Sequence, residues 1–198
     1  MIAVVDYKAG NLTSVMKALT AVEADAVSTD DPETVRRADQ IILPGVGHFQ
    51  ATAFLEQRGL KQAIQEQITA GTPFLGICVG LQWIFRGSTE APGFPGLGLF
   101  DAACDRFTTH LKVPHVGWNS LDVREDSRLL WQIPNGSFVY FTHSYCAPVI
   151  HGTVAVTEYG APFTAAVESH NVMGVQFHPE KSGPVGLQIL RNFVGLSC

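Results

Sequence analysis

Residues 73–85, PFLGICVGLQWIF, contain the turn that decides how the rest of the chain folds. The apolar run from Pro73 to Ile77 predicts a buried strand, and the stretch from Val79 to Phe85 is suited to a helix. Between them stands the pattern G-x-C-x-G, with Cys78 at its centre. A strand that passes directly into a helix through such a turn is typical of the nucleophile elbow. We therefore expect an α/β fold.

The turn places unusual demands on Cys78. It forces this residue into a strained backbone conformation, while a glycine two positions away on each side lets strand and helix approach closely. The side chain is then expected to be exposed at the carboxyl edge of the sheet, where open α/β folds bind ligands. The helix N-terminus and a nearby imidazolium would favour a thiolate there, and the amide of Val79 would help to form an oxyanion hole.

A buried structural cysteine is the alternative interpretation, because free cysteine is among the most buried residue types. The pentapeptide alone does not decide between the two. The other cysteines, Cys104, Cys146 and Cys198, lack this context and are expected to be structural. No C-x-x-C pair occurs, which favours reduced thiols in a cytoplasmic protein.

The first half of the chain repeats the alternation of strand and helix. Three further apolar runs predict strands, at Ile2–Val5, Ala26–Ser28 and Ile41–Leu43. A helix is predicted over Leu12–Val22 with Asn11 as its cap, and residues 54–68 predict helical cover broken near Gly59. Strands that are apolar on both faces predict a mostly parallel central sheet with helices on both faces, a three-layer arrangement.

The second half predicts a different architecture. Residues 86–98 are rich in glycine and proline and predict a loop. Short apolar segments beyond it predict strands at 138–141, 153–156, 163–167 and 172–177. Turn signals at Asn135-Gly136 and His170-Asn171 indicate antiparallel hairpins. A last helix is predicted after Ser182, with Ile189, Leu190, Phe193 and Val194 buried. We expect residues 1–198 to form one α/β domain with an antiparallel extension.

The composition limits the classes of function. The 198 residues carry 13 basic and 18 acidic side chains, a net charge of −5, which argues against nucleic-acid binding. The N-terminus lacks a basic segment before its short apolar run, so no signal peptide is expected. No apolar stretch approaches membrane-spanning length. Since no nucleotide-binding glycine motif or clear metal-ligand spacing occurs, we expect neither cofactor nor metal.

The segment His178-Pro179-Glu180 follows the last predicted strand and contains a candidate base. A thiol nucleophile needs a group that holds its proton and later delivers it to the leaving amine, and histidine is suited to this. In an extended segment, residues two apart point to the same side, so Glu180 would orient the imidazole of His178. The alternatives are a surface pair near a turn, and a zinc site that includes Cys78.

A glycine loop, Pro44-Gly45-Val46-Gly47, follows the third predicted strand and faces the same sheet edge as Cys78. Glycine permits peptide orientations that a β-carbon forbids, so a backbone amide here is a candidate second oxyanion donor. The alternative is a plain strand-to-helix turn.

Together these segments resemble a known family. The sequences GICVGLQ at 76–82 and QFHPE at 176–180, in this order, are similar to the class I (triad) glutamine amidotransferases. Five further segments narrow the resemblance to the glutaminase subunits of imidazole glycerol phosphate synthases: 7–11, 43–49, 114–119, 140–145 and 178–182. The resemblance runs from the first strand to the last helix, and it implies a flavodoxin-like fold.

The resemblance implies a role for each site residue. Cys78 would form a glutamyl thioester and release ammonia, with His178 as acid and base and Glu180 as its orienting group. The oxyanion donors would be the amides of Val79 and of the segment Gly45, Val46 and Gly47. The residues that hold glutamine would be Gln82, Glu90, Ser144 and Tyr145.

The resemblance also implies a partner, a (β/α)8-barrel cyclase. The cyclase would use the ammonia in histidine biosynthesis to make imidazole glycerol phosphate and an aminoimidazole carboxamide ribotide. The residues at this interface would be Asn11, Trp118, Tyr140 and Lys181. Because a glutaminase alone would waste glutamine, we expect activity to depend on the partner, with a peptide flip in the glycine loop as a candidate switch.

Three other functions remain open at this point. The first is an amidotransferase subunit for another acceptor such as that of anthranilate synthesis, against which the segments PHVGWN and YKAGN argue. The second is a stand-alone cysteine hydrolase, which would turn over without a partner. The third is a binding module that keeps the fold without catalysis.

Overall fold

An eight-stranded sheet forms the centre of the computed structural model, which describes residues 1–124 and 127–196. Its strand order is β2-β1-β3-β4-β12-β11-β10-β7. The strands on one side of the sheet are β1 (Ile2–Val5), β2 (Ala26–Thr29), β3 (Gln40–Gly45), β4 (Phe74–Cys78) and β12 (Val172–Val175). These pair in parallel. The order β2-β1-β3-β4 is that of flavodoxin-like doubly wound sheets.

At the other end of the strand order, neighbouring strands are antiparallel. It contains β7 (Asp122–Val123), β10 (Thr153–Glu158) and β11 (Pro162–Ser169). The predicted hairpin at His170-Asn171 joins β11 to β12, as the turn signal indicates. Two small antiparallel pairs stand outside this sheet: β5 (Asp105–Arg106) with β9 (Tyr145–Cys146), and β6 (His115–Ser120) with β8 (Phe138–His143).

The helices lie in two groups. They are α1 (Leu12–Ala21), α2 (Pro32–Arg36), α3 (Ala53–Gln57), α4 (Leu60–Thr69), α5 (Val79–Ile84) and α6 (Gly183–Val194), with short 3₁₀ helices at Phe49–Thr52 and Pro179–Lys181. The crossover through α1 runs towards the β2 edge, whereas those through α2 and α4 run the opposite way. Right-handed crossovers therefore place them on opposite faces, which is the predicted three-layer arrangement.

Helix boundaries follow local signals in the sequence. The side chain of Asn11 accepts a hydrogen bond from the amide of Ser14 and caps α1, as predicted. Gly59 has a φ of 72° and separates α3 from α4, which explains the break in the helical pattern. In α6, Ile189, Leu190 and Phe193 are buried, but Val194 is only half-buried because it lies at the end of the helix.

Several expectations for the second half need correction. Asn135-Gly136 does not close a hairpin, because β8 pairs with the distant β6 rather than with a neighbouring strand. The last strand ends at Val175 instead of Phe177. Helix α2 and the strands β5, β6, β7 and β9 were not predicted from the sequence. Among the described residues, no helix combines the length and the apolar character needed to cross a membrane.

Candidate active site at the carboxyl edge of the sheet

The predicted elbow is present at the end of β4. Cys78 has φ 55° and ψ −105° and immediately precedes α5. A positive φ is strained for a residue with a β-carbon, and such strain is common where a side chain must be presented at a site. One expectation is wrong: the Cys78 side chain is 3% exposed, not open to solvent. The reason is tertiary packing: Cys78 lies within a pocket that residues from distant segments, such as Tyr145, also line, and not on the open surface.

Close packing explains why the turn contains two glycines. A β-carbon at Gly80 would lie 1.9 Å from the carbonyl oxygen of Leu43 in β3. One at Gly76 would lie 2.4 Å from the carbonyl oxygen of Gly80. Both obstacles are backbone atoms that cannot turn aside, so only glycine lets α5 begin directly against the sheet.

Parallel pairing brings three strand ends together. Gly45 of β3 lies beside Cys78 on one side, and Val175 of β12 lies beside Ile77 on the other. Because β12 and β4 run in parallel, the chain leaving β12 carries His178 to the same edge as the sulfur. Residues from opposite ends of the sequence thus meet at one site.

His178 and Glu180 form a buried pair. The Nδ1 atom of His178 lies 2.8 Å from Oε1 of Glu180, and both side chains are 1% exposed. A carboxylate accepts only, so Nδ1 carries the proton and Nε2 is left for the substrate side. Among the described residues, Nε2 of His178 and Oε2 of Glu180 are buried without a hydrogen-bond partner.

The electrostatics of His178 favour its charged form. Burial lowers the pKa of His178, but the negative charges of the nearby Cys78 sulfur and of Glu180 oppose this effect, and the net shift is upward. The site therefore favours the imidazolium form of His178. Covalent catalysis by cysteine needs this combination of nucleophile, base and orienting carboxylate.

A pocket of about 250 Å³ opens onto the sulfur. The residues that line it are Val46, Gly47, Cys78, Val79, Gln82, Glu90, Pro114, Thr142, His143, Ser144 and Tyr145. All but Pro114, Thr142 and His143 were predicted as site residues. The alternation of inward and outward side chains along β8 is the signal that could have found His143. Gly45, the last residue of β3, pairs with Cys78 in the parallel register but does not line this pocket.

The glycine loop is held from two sides. A β-carbon at Gly45 would lie 2.2 Å from the hydroxyl of Tyr7, so this buried tyrosine packs directly against the glycine. Just beyond Gly47, which has φ 96°, the amide of Phe49 donates to Oε2 of Glu90 at 2.7 Å. The carboxylate of Glu90 thus ties this loop to residues 86–98.

Three of the predicted interface residues, Trp118, Tyr140 and Lys181, lie against one another. Trp118 of β6 packs edge-on against Tyr140 of β8, with ring centroids 6.1 Å apart. Lys181 lies over the Tyr140 ring, 5.8 Å from its centroid. Asn11 caps α1, and α1 contacts the 3₁₀ helix Pro179–Lys181.

Cys104 and Cys146 fit the structural interpretation. Burial raises the pKa of Cys104 well above its usual range and that of Cys146 to about 12, so both thiols stay protonated at neutral pH. Cys198 lies outside the described residues. Within residues 1–124 and 127–196, no cluster of three His, Cys, Asp or Glu side chains is arranged to hold a metal ion. His178 and Glu180 bind each other instead.

Comparison with known proteins gives the family. The family model described as "Glutamine amidotransferase class-I" matches residues 3–196. The imidazole glycerol phosphate synthase subunit HisH of Methanothermobacter thermautotrophicus is 47% identical over 195 residues, with 98% of each chain covered. The subunit of the same name from Bacillus cereus strain G9842 is 43% identical over 198 residues, with 99% of this chain and 95% of that protein covered.

Solved structures share the fold. A crystal structure of a glutamine amidotransferase matches with a TM-score of 0.78 at 18% identity, covering 99% of this chain and 100% of that chain. PurLQS from Thermotoga maritima matches with a TM-score of 0.73 at 21% identity, covering 97% and 96%. The chain therefore belongs to the class-I glutamine amidotransferase family, within the group of imidazole glycerol phosphate synthase subunits HisH.

Proposed function

We propose that this chain hydrolyses glutamine to glutamate and ammonia at Cys78, and that it passes the ammonia to a partner cyclase. The observation that carries the proposal is the buried Nδ1–Oε1 bond of 2.8 Å between His178 and Glu180. Among the residues that the structure describes, it leaves Nε2 of His178 without a hydrogen-bond partner, at the sheet edge where Cys78 lies. A base with one nitrogen fixed and the other free is what a thiol nucleophile requires.

The reaction follows from these positions. The sulfur of Cys78 attacks the side-chain amide carbon of glutamine after its proton has passed to Nε2 of His178. The imidazolium then protonates the amide nitrogen, the carbon–nitrogen bond breaks, and ammonia leaves a glutamyl thioester. Water attacks the thioester as His178 takes its proton, and glutamate departs with the thiol restored. Glu180 keeps the imidazole in the required tautomer throughout.

Backbone amides would stabilise the negative oxygen of the tetrahedral intermediate. The first donor is the amide of Val79 at the start of α5, where helical amides lack partners of their own. The second is a peptide of the loop Gly45, Val46 and Gly47, and its orientation would make activity dependent on the partner. Around the substrate, Gln82, Glu90, Ser144 and Tyr145 line the same pocket and would hold glutamine.

We also propose the partner and the place of the reaction. Relatives named imidazole glycerol phosphate synthase subunit HisH suggest a (β/α)8-barrel cyclase that forms imidazole glycerol phosphate and an aminoimidazole carboxamide ribotide. In this proposal residues 1–198 are a single amidotransferase domain of a cytoplasmic heterodimer. Ammonia is mostly protonated in neutral water and ammonium is no nucleophile, so a dry passage between the two sites would be needed.

Covalent labelling tests the proposed nucleophile. We expect a diazo-ketone analogue of glutamine to modify Cys78 in the complex with the cyclase, and free glutamine to slow the labelling. Cys104 and Cys146 are internal controls because burial keeps their thiols protonated. Peptide mass spectrometry locates the adduct. Labelling elsewhere, or labelling of Cys78 that glutamine does not slow, would contradict the proposal.

Two exposed tryptophans provide a test of the proposed interface. Trp118, on the outer face of the β6–β8 pair, is 55% exposed, and Trp131, in the segment before β8, is 62% exposed. We expect Trp118→Ala to weaken binding of the cyclase by roughly thirtyfold, because buried tryptophans are frequent interface hot spots. Trp131→Ala is the matched control and should leave the Kd unchanged. Equal effects of the two substitutions, measured by titration calorimetry, would place the interface elsewhere.

A further inference from the structure

We propose that His143 and His115 are positioning residues that hold the carbonyl group of Tyr145 in the glutamine pocket. The inference rests on the proposed function and names residues that it leaves without a role. His143 lines the pocket, whereas His115 lies one strand further away, so the pair acts on the substrate through Tyr145.

The two histidines lie on the inner face of the β6–β8 pair. His115 and His143 are directly opposite each other in the antiparallel register. Because side chains alternate along a strand, their neighbours Val116 and Trp118 point outward and are more than half exposed, while both histidines are buried. The outer face of this pair carries the proposed interface, and the inner face reaches the pocket.

A chain of hydrogen bonds determines the tautomer of each imidazole. Nδ1 of His143 lies 2.9 Å from the carbonyl oxygen of Tyr145, which only accepts, so Nδ1 carries a proton. In a neutral ring Nε2 then accepts, and its partner at 3.2 Å is Nδ1 of His115, which must donate. Nε2 of His115 is left as an acceptor for the amide of Asn119, at 3.5 Å.

The orientation of the Asn119 amide agrees with these two tautomers. Its Oδ1 accepts from the amide of Ser120 at 2.8 Å, and its Nδ2 also donates to the carbonyl of Glu158 at 2.9 Å. The amide therefore cannot be reversed without losing both bonds, and Nδ2 faces His115. One arrangement of protons gives each ring nitrogen of His115 and His143 a hydrogen-bond partner.

Packing keeps both rings in place and uncharged. His115 is stacked between the rings of Tyr159 and Phe141, with centroids 4.0 Å and 4.9 Å away. Burial lowers the pKa of His115 to about 4. Burial also lowers the pKa of His143 to about 3; the bond to Tyr145 opposes this shift, and the proximity of two other imidazoles, those of His115 and His178, adds to it.

From Tyr145, further polar contacts lead to the sulfur of Cys78. The carbonyl oxygen of Tyr145 also accepts from Nε2 of Gln82 at 2.9 Å. The same nitrogen lies 3.3 Å from Oε1 of Gln176, and Nε2 of Gln176 lies 3.6 Å from Sγ of Cys78. If His143 is replaced by a residue without a donor, the Tyr145 carbonyl keeps the hydrogen bond from Gln82 but loses the one from His143. The part of the pocket lining that Gln82 and Tyr145 form is then free to move.

Two substitutions at position 143 separate hydrogen bonding from packing. Nδ2 of asparagine lies as many bonds from the backbone as Nδ1 of histidine, so His143→Asn retains a donor for Tyr145. His143→Phe retains a ring but no donor. In the complex with the cyclase, we expect His143→Phe to raise the KM for glutamine roughly ten- to hundredfold while kcat changes less than about threefold. We expect His143→Asn to keep KM within about threefold of the wild type.

The outcomes distinguish this inference from the proposed function. A wild-type complex that does not hydrolyse glutamine would refute the proposed function. An active wild type with an unchanged KM in His143→Phe would refute the positioning role. An equal fall of kcat in both variants, together with a loss of folded protein, would also refute the positioning role, because it indicates a structural role only.

A spectroscopic measurement on the wild-type complex needs no variant. Nitrogen-15 chemical shifts of the imidazoles report which ring nitrogen is protonated. We expect both His115 and His143 to be neutral with the proton on Nδ1, and to remain so down to about pH 5. A proton on Nε2 of His143, or titration of either ring near pH 6.5, would overturn the assignment.

Discussion

The Gly80→Ala variant is expected to lose about 3 kcal/mol or more of its free energy of unfolding, because overpacking a dense core against backbone atoms is costly. The added β-carbon would lie 1.9 Å from the carbonyl oxygen of Leu43. To relieve this contact, the first turn of α5 must move away from β3. That movement would also displace Cys78, so glutamine hydrolysis should fall together with stability.

Urea unfolding followed by circular dichroism measures this effect. Gly93→Ala is the matched control, because a β-carbon at Gly93 would meet no atom of residues 1–124 or 127–196 within 4 Å. We expect the midpoint for Gly80→Ala to fall well below that of Gly93→Ala, which should stay near the wild type. Equal midpoints would mean that α5 does not begin directly against β3.

The elbow could be predicted from the sequence because its determinants are local. Gly76, Cys78 and Gly80 stand within five residues, and strand, turn and helix each have a clear pattern there. The parallel sheet was predictable for a similar reason, since its strands are continuous apolar runs. The pair His178 and Glu180 was predictable because two residues of one extended segment point to the same side.

The pairing of strands that are distant in the sequence could not be predicted. β6 pairs with β8 although a segment that contains β7 lies between them in the sequence. No local sequence signal identifies β6 as the partner of β8. Their pairing brings His115 opposite His143, so the hydrogen-bond chain to Tyr145 was invisible before the fold was known. The burial of Cys78 was missed because it depends on tertiary packing, which brings distant segments such as the one containing Ser144 to the same pocket.

The Cys78→Ala variant is expected to lose glutamine-dependent synthesis by on the order of 10⁴-fold or more, as is usual when a covalent nucleophile is removed. Without the sulfur no thioester forms, so no ammonia is released from glutamine. The fold should persist, because alanine is smaller than cysteine and the flanking glycines that allow close packing remain. A matched control is Cys104→Ala, which removes a buried thiol outside the pocket and should retain glutamine-dependent synthesis.

The partner's chemistry should survive in this variant. If the chain only supplies ammonia, then ammonium salts at a pH that generates free ammonia bypass Cys78. The cyclase site in the complex would still receive its nitrogen. This separates a missing nucleophile from a collapsed or dissociated complex, in which binding of the cyclase would also be lost.

The most direct test of the account measures synthesis by the complex of Cys78→Ala with the cyclase, with glutamine or ammonium as the nitrogen source. If Cys78 is the nucleophile, glutamine-dependent synthesis is abolished, while ammonia-dependent synthesis stays within about threefold of the wild-type complex. Retention of glutamine-dependent synthesis would show that the nucleophile is elsewhere. Loss of both activities would show that Cys78 has a structural role, and either result would contradict the account.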